Sequence, residues 1–98
     1  MMRIYKEMLG RFGKLEGRAR VILYGSVASG KSRPDSDVDL AVITGDKKAR
    51  AEAGKIADGI FLDYGKAILI AYFTPEEMKS KSYDPFVKEV ERGQVLYG

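Results

Sequence analysis

The amino-acid sequence predicts an α/β (α+β) fold: a small mixed β-sheet with helices packed on it. Three observations carry that expectation. Apolar, β-rich runs recur at residues 19–24, 37–44 and 67–73, segments with helical periodicity separate them, and Gly or Pro stands at most junctions. The 98 residues, 45% hydrophobic and 32% charged, suffice for one modest core and read as a single domain, 1–98.

The elements follow in order. Met1, Tyr5, Met8, Leu9 and Phe12 recur at helical spacing, so residues 2–12 read as an amphipathic helix, with Gly13 and Gly17 bracketing a loop. Residues 19–24, ARVILY, form a buried strand that stops at Gly25. Residues 26–32 make a short turn or helix, halted by Arg33-Pro34 because proline disfavours a helical residue before it. Residues 37–44, DVDLAVIT, are a second strand with a polar N-terminal end. Asp46 caps a longer helix whose stripe is Ala49, Ala53, Ile56, Ala57, Ile60, Phe61 and Tyr64, and Gly65 ends it. The third strand is 67–73. Thr74-Pro75-Glu76-Glu77 starts another helix, with Thr74 as cap and acids in the first turn. Pro85 to Arg92 is a further helix, and Gln94 to Tyr97 an edge strand.

Composition narrows the chemistry. Cysteine and histidine are both absent, so thiolate sites and the usual zinc constellations are excluded, and any metal must be held by oxygen, as Mg2+ or Mn2+ is. The net charge of +3 suits an anionic ligand, but no run of like charge forms a nucleic-acid tail, so nucleic acid is not an expected partner. The N-terminal stretch MMRIYKEMLGRFGK lacks the pattern of a signal peptide, and no segment approaches the ~20 apolar residues of a membrane span. A cytoplasmic location without a membrane partner is expected.

Polar chemistry concentrates in residues 25–40, GSVASGKSRPDSDVDL. Gly25 to Ser32 matches the letters of a P-loop, G-x-x-x-x-G-K-S. A P-loop needs its Lys and Ser in the first turn of a long helix, and Arg33-Pro34-Asp35 allows none. Asp37-Val38-Asp39 supports another reading. Residues two apart on a strand share a face, so both carboxylates project together and repel unless a cation sits between them. Gly25-Ser26 ends the preceding strand, where glycine admits a phosphate close to the backbone and Ser26 adds a hydroxyl. A phosphate cradle beside metal-binding carboxylates is equipment for phosphoryl or nucleotidyl transfer. Each piece alone is usually a turn or a solvated strand end.

Gly25-Ser26, ten intervening residues, then Asp37-Val38-Asp39-Leu40 preceded by Ser36 resembles the signature of the DNA polymerase β-like nucleotidyltransferase superfamily, above all its minimal prokaryotic and archaeal members. The pattern Pro-Phe…Glu-Arg-Gly…Leu-Tyr at 85–97 is similar too. The resemblance implies a polymerase β-like fold, a nucleoside triphosphate held by Gly25 and Ser26, and divalent ions on Asp37 and Asp39. It implies transfer of a nucleoside monophosphate, AMP from ATP, to a hydroxyl, with a tyrosine on a helical HEPN-class partner as acceptor in a toxin–antitoxin pair. Two departures are visible. Val27 and Ser29 stand where many relatives carry arginine, and residues 67–73 lack the third carboxylate of active relatives, Asp63 being the nearest acid. That second departure supports an alternative: a catalytically weak or inactive nucleotide-binding antitoxin that acts by protein–protein contact.

Overall fold

The computed structural model describes residues 3–31, 33 and 36–98. A helix α1 (Arg3–Leu9) runs into a 3-10 helix (Gly10–Leu15), then β1 (Arg20–Tyr24), α2 (Gly25–Ala28), β2 (Val38–Ile43), α3 (Lys47–Tyr64), β3 (Ile68–Phe73), α4 (Pro75–Ser80), α5 (Pro85–Glu91) and β4 (Gln94–Tyr97) follow. The strands form one sheet in the order β3-β2-β1-β4. β1 is antiparallel to β2 and β4, while β2 and β3 are parallel and joined by α3. The mixed sheet expected from the sequence is therefore present.

Helix termini follow local chemistry. The Asp46 carboxylate accepts from Lys48 N–H at 2.9 Å to start α3, and Gly65, at φ 67°, ends it. At α4 the Thr74 hydroxyl accepts from Glu77 N–H while the Glu77 carboxylate accepts from Thr74 N–H, a reciprocal capping box. Asp84 caps α5 by accepting from Phe86 N–H at 2.7 Å.

Alternation along β2 divides the core. Val38, Leu40 and Val42 pack with Phe12, Leu15, Ala49, Ala53 and Ile60 under α1, the 3-10 helix and α3. Ala41 and Ile43 face the other way, onto Ile22, Met78, Val87 and Val90 under α4 and α5. Asp39 has the same parity as Ala41 and so belongs to that second face.

Some boundaries differ from expectation. The first helix does not run from 2 to 12: α-geometry ends at Leu9, and the tighter 3-10 turn that begins at Gly10 carries Phe12 and Leu15 into the core. Met1 lies outside the described residues. Phe61 does not belong to the buried stripe of α3, being 56% exposed. Among the described residues, no helix is long and apolar enough to cross a membrane.

Candidate functional site

Antiparallel pairing sets Tyr24, the last residue of β1, opposite Asp39 near the start of β2. The chain therefore leaves β1 where the acidic segment enters β2. Gly25 follows with φ 76°, and a Cβ there would lie 2.5 Å from Asp39 Oδ2. The left-handed backbone disfavours a side chain, and the carboxylate leaves no room for one. The Gly-Ser turn and the acid thus meet in direct contact.

The turn then closes on itself. Ser29 N–H donates to Gly25 O at 3.1 Å and Lys31 N–H to Ser26 O at 2.9 Å. Tyr24, the residue before α2, makes no side-chain cap bond to its first turn. The helix ends at Ala28, before Lys31, so the long helix that a P-loop requires is not built here. Ser32, Pro34 and Asp35 lie outside the described residues. Beyond them, Arg33 N–H donates to Ser36 Oγ at 2.8 Å and Ser36 N–H to Arg33 O at 2.9 Å, fixing the approach to Asp37.

Asp37 stands one residue before β2 and is exposed; Asp39 is half-buried. Burial raises the Asp39 pKa above its ordinary value, and the charges of Asp37 and Glu89 push it further the same way. Neither aspartate forms an ion pair with a described residue. The sequence-predicted residues Gly25, Ser26, Asp37 and Asp39 are thus brought together at one end of β1 and β2.

A cleft of about 480 Å³ opens at Gly25 and Ser26, lined by these with Tyr24 and Ser29 at the end of β1 and around α2, and by Glu89, Arg92 and Gln94 from the end of α5 and the start of β4; neither Asp37 nor Asp39 is among its described lining residues. Sequence reasoning missed Tyr24, Glu89, Arg92 and Gln94. Glu89, Arg92 and Gln94 arrive because β4 pairs with β1, Leu23 opposite Gln94, which draws the end of α5 across the sheet. Gly93 permits this approach: a Cβ there would lie 2.5 Å from Leu23 O and 2.8 Å from Ile22 Cγ2. The Glu89 charge also raises the Tyr24 pKa, after burial and the charge of Asp39.

Residues singled out elsewhere are not part of this cluster. Asp63 pairs with Arg11 at 2.6 Å on α3, which covers the face opposite that of Asp39. Tyr72 packs on that same opposite face, with the Arg50 guanidinium 5.1 Å from its ring centre, so it offers no stacking platform to this cleft. Leu69, half exposed, is the β3 residue in register with Asp39. Among the described residues no group of three or more acids is arranged to hold a metal ion. Asp37 and Asp39 still suit a hard divalent cation: their donors are all oxygen, their charges repel, and neither is neutralised by a described residue.

The family model for the nucleotidyltransferase domain matches residues 3–95. Among solved structures, a toxin–antitoxin complex with AMP-PNP is similar at a TM-score of 0.62 and 20% identity, the match covering 95% of this chain and 72% of that one. A toxin–antitoxin MntA-HpeT mutant is similar at a TM-score of 0.55 and 16% identity, again over 95% and 72% of the two chains. At these identities the likeness is one of fold. Comparison with curated proteins finds no match.

Proposed function

The chain belongs to the nucleotidyltransferase-domain family, and we propose that it acts as a single domain, 1–98, transferring AMP from ATP to a hydroxyl of a partner protein. The observation that carries this reading is the contact between Gly25 and Asp39: only a side-chain-free turn fits against that carboxylate, and a phosphate needs the same freedom of approach. Gly25 and Ser26 would hold the triphosphate through backbone amides and the Ser26 hydroxyl. Asp37 and Asp39 would hold Mg2+ or Mn2+ through their carboxylate oxygens. When bound there, such an ion would supply positive charge against the phosphates. The acceptor hydroxyl releases its proton to solvent water as its oxygen bonds to the α-phosphorus, the bond from the α-phosphorus to the bridging oxygen of the β-phosphate breaks, and pyrophosphate leaves with that electron pair.

The toxin–antitoxin neighbours support a role in a toxin–antitoxin pair, and we propose further that the partner is a helical HEPN-class toxin in the cytoplasm with a tyrosine as acceptor. Incubation with α-labelled ATP, Mg2+ and the toxin tests it. Label is expected on the toxin; an unlabelled toxin would overturn the transfer reading.

One observation favours a second reading, neutralisation by contact alone. Leu69 occupies the β3 position beside Asp39 where a third carboxylate would complete the acid cluster. Under that reading the double variant Asp37→Asn, Asp39→Asn still neutralises its partner. Under the enzymatic reading it does not.

A further inference from the structure

A nucleoside triphosphate carries several negative charges, and the cleft supplies little to meet them. Gly25, Ser26, Ser29 and Gln94 are neutral, and Glu89 is anionic. Lys31 and Arg33 are exposed, and neither lines the cleft. Arg92 is the one cation among the described lining residues. Its side chain pairs with no described acid, Glu89 on the same wall included.

The backbone of Arg92 is anchored, although its guanidinium pairs with no described acid. Arg92 N–H donates to Lys88 O at 3.2 Å and Gly93 N–H to Val90 O at 3.0 Å, closing the last turn of α5. Gly93 sits against the β1 backbone at Leu23, so the neighbouring Arg92 cannot drift away from the Gly-Ser turn as a loop residue would. A guanidinium presents a planar fork of donors that matches phosphate oxygens two at a time.

We propose that Arg92 grips the polyphosphate tail from the wall opposite Ser26 and thereby makes the cleft prefer nucleoside triphosphates over monophosphates. This rests on the nucleotide-binding reading above and adds to it the residue that selects the tail. Arg92 acts here as a binding residue, on a different element from Asp37 and Asp39.

Calorimetric titration of ATP and of AMP, in Mg2+, into the full chain and its Arg92→Ala and Arg92→Lys variants tests the proposal. Arg92→Ala is expected to weaken ATP binding by about tenfold or more and to leave AMP binding unchanged. Arg92→Lys, which keeps charge without the fork, should recover part of the loss. The melting temperature without nucleotide should match among all three proteins, since the exposed Arg92 side chain makes no ion pair with a described residue. ATP affinity retained in Arg92→Ala, or equal losses for ATP and AMP, would overturn the role of Arg92 while leaving nucleotide binding intact. A folded parent chain that binds neither ligand would instead overturn the nucleotide-binding reading itself, and this role with it.

Discussion

Val38, Leu40 and Val42 are completely buried on one face of β2, under α3 and the 3-10 helix, whereas the alternate residues Asp39, Ala41 and Ile43 face α4 and α5. The first face joins three helical segments and is apolar to the end of the strand. The second is covered by α4 and α5 through Met78, Val87 and Val90, and Asp39 at its end is half-buried. One strand thus serves both as the centre of the core and as the mount for an acidic site. A carboxylate is tolerated where the cover ends, at the desolvation cost evident in its raised pKa.

Substitutions can break or sharpen this contrast. The largest stability loss is expected from Phe12→Ala on the closed face, which removes a fully buried ring and should cost about 3–5 kcal/mol. Urea unfolding measures it, and a loss below ~1 kcal/mol would mean that the closed face is not the main core. At the open end, Gly25→Ala should cost about 1–3 kcal/mol, from positive-φ strain and the clash with Asp39. It should also eliminate detectable ATP binding in titration.

Asp39→Asn should act in the opposite direction on stability. The folded pKa of Asp39 is raised, so the folded chain binds more protons than the unfolded one as pH rises past the ordinary value of 3.8. The associated stability is present below that value and is lost as pH climbs through the folded pKa. Removing the charge should therefore raise the melting temperature by a few degrees near neutral pH without metal, with the gain vanishing in acid below 3.8. Equal melting curves at both pH values would show that Asp39 bears no desolvation or like-charge cost. The smallest effect is expected for Lys31→Ala: because Lys31 is exposed and outside any helix, ATP affinity should change by less than about threefold. Abolished binding would restore the P-loop reading.

Much of this arrangement was legible because the signals were local. Asp46, Gly65 and Thr74 announce their caps, and the polar start of an apolar run marks the tip of β2. The spacing of Asp37 and Asp39 predicts a shared face from strand geometry alone, whereas β2 begins at Val38 and leaves Asp37 one residue outside the strand. The missed half of the cleft is non-local. Glu89, Arg92 and Gln94 stand far along the chain from Ser26, and only the pairing of β4 with β1, permitted by Gly93, brings them across. Nothing in the pattern of residues 94–97 says which sheet edge they join. The early end of α1 was obscured for another reason: Phe12 keeps its helical spacing while the backbone tightens to a 3-10 turn at Gly10.

Paramagnetic broadening of backbone amide signals by Mn2+-ATP tests most directly where the ligand sits. Broadening should centre on Gly25, Ser26, Asp37 and Asp39, extend to Arg92 and Gly93 across the cleft, and vanish in the Asp37→Asn, Asp39→Asn double variant. Broadening centred instead on Lys31, or on the α3 face around Arg11 and Lys55, would contradict the account.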